Sequence, residues 1–194
     1  YRKALPGCDL RDASGLLRAV RAVKSPFELT IQADAAVVAA RIVERAREVL
    51  RPGMTEIELS AEVERAARLA GHQGITRMRA FNAELNLGHA MGGAGAAEPS
   101  YADTPLGGSG PGPAVPGGAG AHAIAPGEPV ILDVAPGVDG YLVDQTRTLC
   151  IGGLPAPLAQ AYADMVAVQE HMVELARPGA SCGRIYEACR ALAE

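Results

Sequence analysis

The chain has 194 residues, 48% of them apolar and 21% charged, with a formal net charge of −4. This balance excludes a disordered chain and, with no basic block, a nucleic-acid binder. No apolar run reaches the length of a membrane-spanning helix, and the length suffices for one substantial core or two small domains.

Residues 1 to 25 are short and mixed, with Pro6, Gly7 and Gly15. Leu16, Leu17, Val20 and Val23 fit a helix face or an extended docking segment, and the stretch reads as a connector from a missing upstream domain. Pro26 and Glu28 open a long helical pattern whose apolar face is Ala36, Ala39, Val43, Ala46 and Leu50. Arg51-Pro52-Gly53 stops it. Thr55 and Glu58 form a capping box for the next helix, which buries Leu59, Val63, Ala66, Ala67 and Ala70 and ends at Gly71.

Gly74 to Phe81 and Leu85 to Met91 read as two strands around Asn82-Ala83-Glu84. Residues 92 to 120 are dominated by Gly, Pro, Ala and Ser, which rules out a helix or a central strand there. The glycines match no phosphate-binding pattern, and an ordered, irregular excursion near the site is the favoured reading over a floppy insert. Further on, Pro155 starts a third helix with the face Leu158, Tyr162, Met165, Gln169, Met172 and Ala176. After Arg177-Pro178-Gly179, Ser181 caps a fourth, carrying Ile185, Cys189 and Leu192. The two Arg-Pro-Gly turns lie 126 positions apart, each between a long helix and a capped one. They read as two copies of a helix–turn–helix–strands unit, or as chance, since the tripeptide is a common helix stop.

Cys8, Cys150, Cys182 and Cys189 form no CxxC pair and no Cys/His cluster with zinc spacing, and all four read as reduced thiols. No charged-then-apolar leader opens the chain, so cytoplasmic location is the default expectation. The start at Tyr1 and the stop at Glu194 within a helical pattern suggest a piece of a longer protein.

The stretch that carries chemistry is Val130 to Leu149, V-I-L-D-V-A-P-G-V-D-G-Y-L-V-D-Q-T-R-T-L. Two β-rich runs flank a turn built on Pro136, Gly137, Asp139 and Gly140, a β-hairpin by composition. Each run holds one aspartate among apolar neighbours, Asp133 and Asp144, and a carboxylate so placed needs compensation. Side chains alternate along a strand. With Val138-Asp139 as the loop, Asp133 lies opposite Asp144. With Asp139-Gly140, the better turn chemistry, Asp133 faces Thr146 and Asp144 faces Ala135, so the aspartates are diagonal neighbours on one face. Only an odd loop without a bulge separates them. Carboxylates that close either share a proton or share a cation, and an all-oxygen donor set suits a hard divalent ion such as Mn or Mg. A hairpin with one solvated face is the bland alternative; Ile131, Leu132, Val134, Leu142 and Val143 favour the metal.

D-V-A-P-G-V-D-G-Y-L-V-D-Q-T-R-T, with Asp133 and Asp144 eleven positions apart, resembles the signature hairpin of the pita-bread metallopeptidases. That family includes methionine aminopeptidase, aminopeptidase P, prolidase and creatinase. K-S-P-F-E at Lys24 to Glu28, the R-P-G-M-T-E turn and the strand ending in Gly88-His89 resemble its aminopeptidase P and prolidase branch. The resemblance runs from Val20 to Glu194. It implies an α+β pita-bread fold: a first half of antiparallel strands backed by helices, and a truncated second half. Residues 1–25 are then the connector and residues 26–194 a partial catalytic domain containing the 92–120 loop.

The resemblance also implies two divalent metal ions held by two aspartates, a histidine and two glutamates. Asp133 and Asp144 carry over as metal ligands, with Thr146 fixing a carboxylate. Manganese is the first expectation, with cobalt or zinc as alternatives. His89 matches the catalytic histidine that contacts substrate rather than metal; a structural or surface role is the equal alternative, and the segment from His89 to Asp133 is longer than in typical members. His122 competes for that role without a motif around it, His72 and His171 are unassigned, and Arg147 is expected to pair with an acidic neighbour. The metal histidine and both glutamates of the family belong to the second half. Glu170, Glu174 and Glu187 lie on helices in the wrong context. A chain limited to these residues is therefore expected to hold metals poorly or not at all, and not to catalyse.

The intact protein is expected to be a Xaa-Pro type peptidase with a metal-activated water as nucleophile, acting on peptides, with no nucleic-acid or membrane partner. A homodimer is among the expectations, since the family often dimerises. A non-catalytic peptide- or protein-binding module of the same fold and a creatinase-like hydrolase are the alternatives.

Overall fold

The structure, a computed structural model, describes residues 3–78, 83–99 and 106–194. Its helices are α1 (Ser14–Ala22), α2 (Pro26–Val49), α3 (Glu56–Leu69), α4 (Ala156–Leu175) and α5 (Cys182–Ala193). Its strands are β1 (Thr76–Arg77), β2 (Glu84–Leu85), β3 (Gly88–Gly92), β4 (Val130–Val134), β5 (Gly137–Val138), β6 (Tyr141–Leu142) and β7 (Gln145–Leu149). The chain forms two units, one of Tyr1–Ala46, Glu62–Gly88 and Asp133–Gln145, the other of Arg47–Ala61, His89–Leu132 and Thr146–Glu194. No helix among the described residues is long and apolar enough to cross a membrane.

In the first unit, α1 takes up the helical alternative for the connector, with Leu16, Leu17, Val20 and Val23 all exposed. A capping box opens α2: Glu28 accepts the Ser25 amide at 2.7 Å, and Ser25 Oγ accepts the Glu28 amide at 3.3 Å. The buried stripe of α2 is Ala35, Val38, Ala39, Ile42 and Ala46. Of the expected face only Ala39 and Ala46 are buried; Ala36 is exposed, and Val43 and Leu50 are half-buried. Adjacent apolar residues at 35–40 and 42–43 leave the phase of this helix unspecified, and tertiary packing selects it. On α3, Leu59, Val63 and Ala67 are buried as expected, while Ala66 and Ala70 are half-buried.

After α3, β1 and β2 pair antiparallel, Thr76 with Leu85 and Arg77 with Glu84. The expected strand from Leu85 to Met91 is divided by a bend at 86–87 into β2 and β3, and Glu84, expected in the turn, is a strand residue. The bend precedes Gly88 at φ +144°, a conformation that side-chain-bearing residues rarely adopt. The expected strand positions 79–81 and Asn82 lie outside the described residues.

The central hairpin closes as the better turn chemistry requires. Gly137 pairs with Leu142 and Val138 with Tyr141, leaving Asp139-Gly140 as the loop. Both loop residues have positive φ, +48° and +84°, the form of a type I′ turn. It is not one continuous ribbon, however. β5 and β6 form their own two-stranded sheet, while β4 and β7 lie side by side in a three-stranded sheet of order β3-β4-β7. The Val143 amide donates to the Pro136 carbonyl at 3.1 Å and keeps the register across the interruption. Proline, lacking an N–H, cannot complete the ladder at that point.

In the second unit, Thr55 and Glu58 form the expected capping box of α3. Within the 92–120 segment, Gly93–Ala97 makes a 3-10 turn where no helix was expected; its alanines permit one tight turn and no more. The described remainder, 106–120, is irregular and held by backbone hydrogen bonds from Gly107 to Ala96, Gly110 to Gly118 and Gly118 to Gly107. Helix α4 packs on α5. Its expected face, Leu158, Tyr162, Met165, Gln169, Met172 and Ala176, is exposed; Val166, Val168, His171 and Leu175 are the half-buried positions. On α5, Ile185 and Cys189 are half-buried and Leu192 is exposed, because α5 lies along a different side of α4 from the one its apolar pattern marks. All four cysteines are free thiols.

Candidate functional site

Strand β4 alternates: Val130, Leu132 and Val134 are buried, and Ile131 and Asp133 are half-buried on the other face. Asp133 thus sits where its carboxylate avoids the core. Asp144 lies between β6 and β7. As a residue it is exposed, yet its carboxyl is partly desolvated and is held above the usual aspartate range, first by that burial and then by the charge of Asp133. The first unit therefore brings the two aspartates near enough for one charge to act on the other. Two neighbouring carboxylates, one of which holds its proton more tightly because of the other's charge, fit a hard divalent cation, which replaces the proton and cancels the repulsion. Among the described residues no group of three or more His, Cys, Asp or Glu side chains is placed to hold a metal ion.

The stretch between the aspartates is held by side chains that follow α3. His72 is 5% exposed, and its Nδ1 accepts the Gly137 amide at 3.0 Å. Its Nε2 stands 3.0 Å from the carbonyl of Asn86, which fixes the ring proton on Nε2. The backbone N–H of Gln73 donates to the Gly137 carbonyl, and its side-chain Oε1 accepts the Gly140 amide, both at 2.9 Å. Thr76, also buried, donates its hydroxyl to the Ala135 carbonyl at 2.5 Å. From the start of α2, Glu28 accepts the hydroxyl of Tyr141 at 3.0 Å. Glu28 is held below the usual range, chiefly by the Ser25 amide, and Tyr141 is pushed up, chiefly by its bond to Glu28.

His89 and Thr146 belong to the second unit. His89 is half-buried on β3, and its ring lies over Gly118, where an added Cβ would stand 3.5 Å from Nδ1. Thr146 is exposed on β7. Arg147, expected to pair with an acid, donates to the carbonyl of the preceding Thr146 at 2.7 Å. His122 pairs with Glu128 at 2.9 Å, His171 with Glu174 at 3.7 Å, and Glu187 with Arg190 at 3.0 Å. The last two are solvated pairs within one helix.

Glu56 is a residue that sequence patterning did not single out. It is 4% exposed, and its two oxygens accept the amides of Gly92 at 2.8 Å and Gly120 at 2.7 Å. One buried carboxyl group thereby clasps both ends of the Gly/Pro-rich segment. Alongside it, the Glu56 and Ile57 amides donate to the His122 and Gly120 carbonyls, and the Ile124 amide to that of Met54. Gln73 and Thr76 were equally unmarked and His72 was left unassigned; the signal is a cluster of polar residues just past a helix-ending glycine.

Residues 32–194 match the model of metallopeptidase family M24. The chain is 28% identical over 180 residues to the probable dipeptidase PepE of Mycobacterium tuberculosis, covering 92% of this chain and 41% of that protein. The structure is similar to the prolidase from Pyrococcus furiosus, with a TM-score of 0.75 and 21% identity over 94% of this chain and 47% of that one. It is also similar to dipeptidase PepE from Mycobacterium ulcerans, with a TM-score of 0.73 and 25% identity over 93% and 42%. The chain spans less than half the length of these proteins. Over that span its α+β architecture is the pita-bread fold.

Proposed function

Because this chain belongs to metallopeptidase family M24, we propose that it supplies the aspartate pair of a metal-dependent peptidase of Xaa-Pro type, acting at the N-terminal end of peptides. The observation that carries the reading is the pair itself: Asp133 and Asp144 lie on one braced stretch, and the charge of one raises the proton affinity of the other. That the similar proteins are a probable dipeptidase and a prolidase supports the substrate class.

Asp133 and Asp144 are proposed to hold two divalent ions, with manganese the first candidate, together with ligands from outside these residues. When bound, such ions supply Lewis acidity that activates a water and polarises the scissile carbonyl. Thr146 orients a carboxylate, and His89 donates a hydrogen bond to substrate near the scissile bond. Residues 26–194 are read as a part of the catalytic domain and residues 1–25 as its connector. These residues alone would bind metal weakly and would not catalyse.

The test is hydrolysis of a panel of Xaa-Pro dipeptides and longer peptides by the intact protein, with and without chelator and with Mn, Co or Zn restored. Loss of metal-dependent cleavage in Asp133→Asn and Asp144→Asn supports the reading. Cleavage that survives chelation and both substitutions removes it.

A further inference from the structure

The aspartates are separated by a place where the sheet is interrupted. β4 ends at Val134 and β5 begins at Gly137, while β6 ends at Leu142 and β7 begins at Gln145. Across this gap the Val143 amide keeps the register through the Pro136 carbonyl, the Ala135 amide donates to the Leu87 carbonyl, and Tyr141 donates to Glu28. The remaining bonds to the stretch between the aspartates come from one short segment. Thr76 holds the Ala135 carbonyl, His72 the Gly137 amide, and Gln73 both the Gly137 carbonyl and the Gly140 amide. All four contacts land between the two aspartates, and the side-chain bonds join residues 59 to 67 positions apart.

We infer that His72, Gln73 and Thr76 are positioning residues that set the separation of Asp133 and Asp144 for metal binding. The inference deepens the metallopeptidase reading and rests on it for the identity of the ligand. Of the three, His72 and Thr76 are buried and Gln73 is exposed, and a purely structural account would have the two buried groups satisfied anywhere nearby. Three features point beyond it. His72 is fixed at both ring nitrogens, so Nδ1 is held as an acceptor toward Gly137. The Gln73 amide is oriented by a second bond, from Nε2 to the Ile75 carbonyl at 2.9 Å. The hairpin base also sits hard against Gln73: a Cβ on Gly137 would stand 2.9 Å from Gln73 Nε2 and 2.6 Å from Leu142 Cδ2. Groups that orient metal ligands without touching metal typically change affinity about 10–100-fold when removed.

The experiment is Mn²⁺ titration of the intact protein, followed by calorimetry and by the electron paramagnetic resonance signal of free Mn²⁺, with hydrogen exchange at the Gly137 and Gly140 amides as a second readout. Thr76→Val removes the hydroxyl at constant shape, and Gln73→Ala removes the bond to Gly140. His72→Asn keeps an acceptor near the Nδ1 position, and Thr76→Ser keeps the hydroxyl. Thr76→Val and Gln73→Ala are expected to weaken Mn²⁺ binding about tenfold or more with far-ultraviolet circular dichroism unchanged. His72→Asn and Thr76→Ser are expected to retain most of it.

Wild-type Mn²⁺ affinity in folded Thr76→Val and Gln73→Ala proteins would overturn the positioning role. If Asp133→Asn and Asp144→Asn also bind Mn²⁺ like wild type, it is the metal reading that fails. The brace is then judged on exchange alone: Thr76→Val must speed exchange at Gly137, two residues beyond its own bond, and unchanged exchange there refutes it.

Discussion

Gly88 lies against the backbone of Asp133 so closely that a Cβ on Gly88 would stand 2.1 Å from the Asp133 carbonyl oxygen. It would also stand 2.9 Å from the Cα of Val134, and Gly88 has a φ of +144°. Neither neighbour is a flexible side chain, so the clash is relieved only by moving the strand that carries Asp133. Gly88→Ala is therefore expected to lower stability by about 1–3 kcal/mol from backbone strain alone, with the displacement adding to it. It should also weaken Mn²⁺ binding by the intact protein. Urea denaturation and Mn²⁺ titration check the two effects; a variant with wild-type stability would show that the approach is not as close as described.

The Glu56 clasp gives a second expectation. Glu56→Gln keeps one carbonyl oxygen but turns an NH₂ group toward the second amide, so either Gly92 or Gly120 loses its acceptor while buried. Leaving such a group unsatisfied costs on the order of 1–3 kcal/mol. Hydrogen exchange should rise at whichever of Gly92 and Gly120 then faces the NH₂ group. Faster exchange at neither amide would mean that the segment between them is held by its own backbone bonds.

Gly118 lies at φ +78° under the ring of His89. Gly118→Ala leaves an ordinary contact to the ring, so its main effect is conformational, about 1–2 kcal/mol for a side chain in the left-handed region. If His89 contacts substrate, re-aiming its ring should raise KM for peptides more than it lowers stability. An unchanged KM in a measurably destabilised variant would return His89 to a structural role.

What was legible in the sequence was local. The Asp139-Gly140 turn follows from turn chemistry written within a few positions. The capping box at Thr55–Glu58 is likewise a signal written over three positions; the matching box at Ser25–Glu28 was not singled out. The brace and the clasp were not legible, because His72 meets Gly137 across 65 positions and Glu56 meets Gly120 across 64. No periodicity encodes such a meeting. The phase of α2 failed for a different reason: where Ala35 and Ala36, or Ile42 and Val43, are equally apolar, the pattern fits two faces and only packing chooses. The exposed apolar side of α4 shows the converse, a legible face that these described residues leave uncovered.

The proton affinity of Asp144 fixes the sign of a pH effect. Its carboxyl titrates higher in the folded chain than in the unfolded one, first because it is partly desolvated and then because Asp133 is near. Below the ordinary aspartate range both states are protonated, and the contribution to stability is fully present. As pH rises, the unfolded chain ionises first, and the contribution is lost until pH passes the raised folded value. Glu28 and Glu58 act in the opposite sense: their bonds to Ser25 and Thr55 hold them low, so their contribution is lost as pH falls. Asp144→Asn is thus expected to stabilise the chelator-treated protein at neutral pH and to make little difference at acid pH. With Mn²⁺ added the order should reverse, because the ion binds the ionised pair and stabilises only a protein that retains it. Thermal melts of wild type and Asp144→Asn, with chelator and with Mn²⁺, at two pH values check both halves. If Asp144→Asn melts lower than wild type in chelator at neutral pH, the ionised carboxylate is already compensated within the protein and needs no cation.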